Sequence, residues 1–191
     1  MSVGIIVLIV VLVVVFLLFV FLWRTYNGLV RLRNQVKNAW AQIDVQLKRR
    51  HDLIPNLVET VKGYASYERE TLEAVTNARN LAQQAVGKGV GSQAKAEGEL
   101  SGALSKLLAV VENYPDLKAN QNYLALQEEL TSTENKISFS RQYYNDSVLG
   151  YNNKVQMVPS NIVAGVTGFK LGEFFEVTVG AEREVPKVSF T

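Results

Sequence analysis

The chain opens with an unbroken apolar run from Val3 to Trp23, without a charge or a proline and with Gly4 as its one glycine. A helix of this run is roughly 32 Å long at about 1.5 Å per residue, close to the hydrocarbon thickness of a bilayer. Val, Ile, Leu and Phe fill all of it but Gly4 and Trp23. At about −0.3 to −0.6 kcal/mol for each such residue, insertion is favourable by roughly 6 to 11 kcal/mol at most. Trp23, Arg24 and Tyr26 stand at the exit, where amphipathic rings and cations settle among the headgroups, so they are the expected membrane-interface anchors. A cleaved signal peptide is the alternative. It wants a basic start, a shorter apolar stretch and a small-residue cleavage site. Only Met1 and Ser2 precede Val3, and Arg24-Thr25-Tyr26-Asn27 follows Trp23. The expectation is a retained span over residues 1–23.

Charge sets the expected orientation. The N-terminal flank carries no Lys or Arg, whereas Arg24, Arg31, Arg33 and Lys37 follow the span closely. Positive flanks stay on the cytoplasmic side, which predicts an outer N-terminus and a cytoplasmic remainder at the cell membrane. The absence of cysteine suits a reducing compartment but an exported protein equally. A net charge of +2, with basic and acidic residues interleaved, argues against a nucleic-acid partner.

The remainder is the size of one domain and reads as helix. Leu29, Leu32, Val36, Trp40, Ile43 and Leu47 recur at three and four residues, the rhythm of an amphipathic helix whose Trp40 is expected to be buried against the last long helix. Leu57, Val61, Leu72, Val75, Ala78 and Ala82 continue the pattern to about Val86, and Leu100, Leu104, Leu107, Leu108 and Val111 mark a third stretch over 92–114. A fourth, over about 116–157, carries Tyr123, Leu126, Leu130, Thr133, Ile137, Ser140, Tyr144, Val148, Tyr151 and Val155 at a period near 3.5. Asp116, after Pro115, is its expected N-cap. Pro55 is ambiguous. Either the chain reverses near Arg49, Arg50 and His51, with Pro55 in a new first turn, or one helix runs through it with a kink. Reversal gives stretches of roughly 40, 50, 35 and 60 Å, whereas a kink gives a first helix of roughly 95 Å. The better-matched lengths favour reversal. The fold class is all-α: one transmembrane helix, then an antiparallel up-and-down four-helix bundle over 24–158, then a short irregular tail over 159–191.

The tail departs in composition. Gly165, Gly168, Gly172 and Gly180 punctuate aromatics, and Phe175-Glu176-Val177-Thr178-Val179 alternates with the period of a strand. An isolated strand is unstable, so Phe169, Phe174, Phe175 and Phe190 either dock on their own bundle or form an interaction surface.

Several strings resemble the LemA proteins of bacteria: Ala39-Trp40-Ala41-Gln42-Ile43-Asp44-Val45-Gln46-Leu47-Lys48-Arg49-Arg50, Asp52-Leu53-Ile54-Pro55-Asn56-Leu57-Val58, Tyr114-Pro115-Asp116-Leu117-Lys118-Ala119 and Thr133-Glu134-Asn135-Lys136-Ile137. With the N-terminal span, the resemblance covers nearly the whole chain. It implies a short outer N-terminus, one span and a cytoplasmic antiparallel helical bundle, in a family that includes proteins of the magnetosome membrane. It carries over no catalytic residue.

Chemistry must then come from the residues themselves. His51 beside Asp52 is the one histidine, and it falls in phase with the apolar stripe, which favours a structural role. Without cysteine, a zinc site would need mostly carboxylates, and Gly87-Lys88-Gly89-Val90-Gly91-Ser92 lacks P-loop spacing and reads as a helix-to-helix loop. No metal, cofactor or small-molecule substrate is expected. Gln127, Glu134 and Arg141 recur every seven residues beside the stripe, either as a solvated edge or as inter-helix polar contacts. The Tyr143-Tyr144-Asn145 and Tyr151-Asn152-Asn153 steps offer hydrogen-bonding groups to helices or a partner. The expected function is a non-enzymatic, membrane-anchored scaffold or adaptor, partnered by the bilayer and by copies of itself or other membrane proteins. The alternatives are an enzyme built from carboxylates and amides in the bundle, and a membrane signalling relay.

Overall fold

The computed structural model describes residues 3–65 and 67–176. Their helices are α1 (Val3–Lys62), α2 (Arg69–Ala85), α3 (Val90–Val111), the single turn α4 (Pro115–Lys118), α5 (Gln121–Gln156) and α6 (Ser160–Thr167). No strand occurs among the described residues. The chain is all-α, as its periodicity predicts.

The reversal expected near Arg49, Arg50 and His51 does not occur. Helix α1 runs through Pro55 for 60 residues, about 90 Å at 1.5 Å per residue. Pro55 has no N–H to give the carbonyl four residues back, which belongs to the buried His51. Arg79 of α2 supplies the missing donor, its Nε donating to the His51 carbonyl oxygen at 2.7 Å. Burial also favours continuity: Leu47, Ile54, Leu57 and Val61 lie on either side of Pro55 on one buried stripe, and a turn there would break it. The chain instead reverses between the end of α1 at Lys62 and the start of α2 at Arg69.

Contacts divide the chain into two compact units. One comprises Gln42–Gln142 and the chain from Glu173. Its core gathers Ile54, Leu57 and Val61 of α1, Leu72, Val75 and Ala82 of α2, Leu100, Leu104, Leu107 and Val111 of α3, and Tyr123 and Leu130 of α5. These are the positions that the three-four spacing singles out, so the four helices meet as the sequence pattern requires. Gly87 and Gly89, at φ of 79° and 99°, turn the chain between α2 and α3 in a backbone region that side chains with a Cβ disfavour. Asp116 does not cap a long helix. It sits in the first turn of α4, behind Pro115, and Asn120 serves α5 instead, its Oδ1 accepting from the Tyr123 N–H at 3.1 Å. At this end of the unit, Tyr114 donates to Glu68 at 2.9 Å and Asn120 Nδ2 to the Tyr64 hydroxyl at 2.8 Å.

The other unit comprises Met1–Ala41 and Tyr143–Gly172. From Val3 to Phe19, every side chain of α1 is exposed. Below that segment Leu29 is fully buried against Val163 and Ala164 of α6. Trp40 is half-buried and packs edge-on against Tyr144 of α5, with ring centroids 5.3 Å apart, so it meets the helix expected without being enclosed by it. Tyr151 and Asn152 hold the start of the tail. The Tyr151 hydroxyl donates to the Lys170 carbonyl at 2.7 Å, and the Asn152 amide both donates to the Gly172 carbonyl and accepts its N–H, at 3.0 and 2.8 Å. Gly172 lies so near that an added Cβ would stand 3.4 Å from Val148. The expected alternation from Phe175 to Val179 falls mostly outside the described residues, as does Phe190.

Candidate functional site

Arg50 and His51 lie on the core stripe of α1, one turn before Pro55, with 1% and 4% of their surfaces exposed. A buried guanidinium is strongly destabilising unless its charge is paired and its donors are used. Here α3 and α5 pair the charge and occupy both terminal nitrogens, while the buried Nε has no partner among the described residues. Arg50 pairs with Glu97 of α3 through Nη2 and with Glu134 of α5 through Nη1 at 2.6 Å, and Nη1 also donates to Ser101 of α3 at 2.8 Å. His51 Nε2 faces the other Glu97 oxygen at 3.0 Å, and neither atom has another partner. With Arg79 on the His51 carbonyl, the pair Arg50–His51 is joined to α2, α3 and α5 at one level of the bundle.

Electrostatics follow from this arrangement. Burial pushes the Glu97 carboxyl up, but the His51 hydrogen bond and the Arg50 charge outweigh it and hold Glu97 below the ordinary carboxylate range. Glu97 is therefore an anion locked between two bases, poorly suited to giving or taking a proton at neutral pH. A cavity of about 100 Å³ adjoins the cluster, lined by Ser101, Ser138, Arg141 and Phe175 as well as by Arg50 and its carboxylates. Among the described residues, no three His, Cys, Asp or Glu side chains gather in a way that could hold a metal ion.

The residues singled out by sequence separate here. Glu134 is an inter-helix contact, paired with Arg50, and Arg141 lines the same cavity. Gln127 is apart from them, half-buried on α5 beside an open groove with Leu124, Asn135 and Phe139. Of the tail aromatics, Phe175 is 2% exposed, Phe174 is 37% exposed and Phe169 is half-buried. Phe169 packs on its own chain, edge-on to Tyr26 at 5.9 Å and under the Arg33 guanidinium at 5.0 Å. Trp23, Arg24 and Tyr26 are all exposed. Arg50 itself escaped the sequence reading, because it lay where the chain was expected to reverse so that Pro55 would fall in a new first turn. The usable signal was its phase: it falls between Leu47 and Ile54 on the 3-4 stripe.

The model of the LemA family matches residues 39–190, a stretch that takes in every helix of the cluster. The chain belongs to the LemA family. It is 28% identical to magnetosome protein MamQ 2 of Paramagnetospirillum magneticum, over 79% of this chain and 64% of that protein. It is 27% identical to magnetosome protein MamQ of Magnetospirillum gryphiswaldense, over 78% and 64%. With protein LemA of Metamycoplasma hominis it shares 31% identity, over 72% of this chain and 63% of the other. The chain thus spans just under two thirds of the length of these relatives.

Proposed function

We propose that this LemA-family chain is a single-span membrane-anchored scaffold or adaptor without catalytic activity, presenting its helical bundle at the inner face of the cytoplasmic membrane. The observation that carries this reading is α1. The helix whose exposed apolar segment is long enough to cross a bilayer also contributes Ile54, Leu57 and Val61 to the bundle core. The apolar segment and the bundle's first helix are thus one continuous helix, α1, with no loop between them. The paired carboxylates weigh against the enzyme reading. Buried Glu97 and half-exposed Glu134 both pair with the Arg50 guanidinium, so the acid pair that chemistry in the bundle would use is already engaged. The names of the relatives, LemA and magnetosome protein, attach no reaction to them.

Orientation is the part most open to a direct test. The Lys and Arg residues that follow the span favour a cytoplasmic bundle. The chain has no cysteine, so Tyr67→Cys, at a position 96% exposed, gives a single reporter. In intact cells it is expected to resist an impermeant maleimide and to react after permeabilisation. Labelling without permeabilisation would put the bundle outside and remove the inner-face placement.

A further inference from the structure

We propose that α6 and the turn before it form a second membrane contact, seating Met157, Val158, Ile162 and Val166 in the headgroup layer of the bilayer that the N-terminal segment crosses. The inference rests on the anchor reading above and extends it.

Exposure gives the first argument. These four apolar side chains are 61%, 79%, 64% and 85% exposed within ten residues of chain. On α6, Val163 and Ala164 turn inward onto Leu29, while Ile162 and Val166, one turn apart, point the other way. A short helix with one face docked and Ile162 and Val166 exposed on the other, continued by Met157 and Val158 before it, marks an interaction surface.

Register supplies the occupant. Helices α1 and α5 run antiparallel here, since the Trp40 ring meets Tyr144 and, eleven residues back on one helix and eleven on along the other, Val155 packs on the cluster of Leu29. A further three brings Tyr26 level with Val158. Contacts on either side agree: Leu29 packs on Val163, and Tyr26 meets Phe169. Val158 is thus level with a residue only about 4.5 Å along the axis past Trp23. The headgroup layer is roughly 5 to 7 Å deep on each side of the hydrocarbon, so the exposed cluster lies within its reach.

Charge complementarity agrees. Arg24, Arg31, Arg33 and Lys37 on α1 and Lys154 and Lys170 around α6 surround this end of the unit. No Asp or Glu occurs in residues 23–41 or 147–172. An apolar wedge with a purely basic rim fits an anionic lipid surface.

The test uses the full chain in vesicles of phosphatidylcholine and phosphatidylglycerol, with a nitroxide on single cysteines at Ile162→Cys or Val166→Cys. Both sites are exposed, so the label displaces no core packing. Leu12→Cys reports the mid-span and Phe139→Cys, 73% exposed, reports water. Labels at 162 and 166 are expected to collide more with oxygen than with a nickel chelate, at the depth of a label at Trp23→Cys. The Phe139 label should show the reverse order. If the Leu12 label lies in lipid while those at 162 and 166 behave like the one at 139, the second contact is overturned and the anchor stands. Labels at 162 and 166 that neither reagent reaches would mean a second copy covers the face, which also overturns it. If the Leu12 label is itself in water, the anchor reading fails first and takes this inference with it.

Discussion

Arg50 is the residue whose loss the core can least accommodate. Removing it strands Glu97 as a buried anion with one weak partner, and breaking a buried pair from one side costs about 3–5 kcal/mol. Arg50→Ala is therefore expected to lower the urea midpoint of the bundle steeply. The paired change Arg50→Met with Glu97→Leu is expected to recover most of that loss, since replacing both members removes the uncompensated charge. Half-exposed Glu134 keeps access to water in either variant. A double variant as unstable as the single one would mean that the cluster acts through its hydrogen bonds to Ser101 rather than through charge. Acid gives a second view of the same group. Glu97 is held below its ordinary value, so the stability it contributes is complete above the unfolded-state pKa, about 4.5, and drains away as pH falls through the lower folded value. Unfolding curves taken from pH 7 downward should show that loss beginning near pH 4.5, and Glu97→Gln should flatten it. Sequence reading had half of this site. Glu134 stands out by its seven-residue spacing, whereas its partner lies where Pro55 led to the expectation of a reversal.

At the scale of the element, Pro55 shows why a proline's cost depends on what meets the orphaned carbonyl. In an unassisted helix interior it costs about 3 kcal/mol. Arg79 comes from a helix 28 residues further on, and no local pattern could announce that it would donate to the His51 carbonyl. A double-mutant cycle isolates this device. Arg79→Ala in the natural background leaves a buried carbonyl unpaired, for an expected loss of about 1–3 kcal/mol. With Pro55→Ala already made, residue 55 regains an N–H for that carbonyl, and Arg79→Ala should cost clearly less. Equal costs in the two backgrounds would show that Arg79 acts by packing alone. The stripes, by contrast, were legible throughout. The ten positions read off α5 from Tyr123 to Val155 are all buried or half-buried, because burial of one face is what a sustained period near 3.5 encodes. Helix ends were less legible, since Asp116 and Asn120 both offer a capping oxygen and only the fold decides between them.

On the scale of the whole molecule, the question is whether the tail assembles copies of the chain or completes its own. Composition left both open, because Phe-rich segments with glycines serve either role. The described part of the tail is held by its own chain: Tyr151 and Asn152 grip the backbone at Lys170 and Gly172, Phe169 packs on Tyr26 and Arg33, and Phe175 is buried. Truncation after Val158 would remove α6 and the cover it gives Leu29, expose the Tyr151 hydroxyl and the Asn152 amide, and empty the position of Phe175 beside Arg50 and Glu97. Filling such a site with an aromatic ring matters, as Phe→Ala changes in cores cost about 3–5 kcal/mol. The truncated chain in detergent is therefore expected to lose amide protection around Leu29, Arg50 and Tyr151 and to melt earlier, with no change in the number of copies per particle by light scattering. A truncated chain that keeps its protection but falls from an oligomer to a monomer would reverse the assignment, making the aromatics from Phe169 onward the assembly surface. Phe175→Ala separates the two ideas without deleting any backbone, because a core ring lowers stability when removed and an interface ring lowers association.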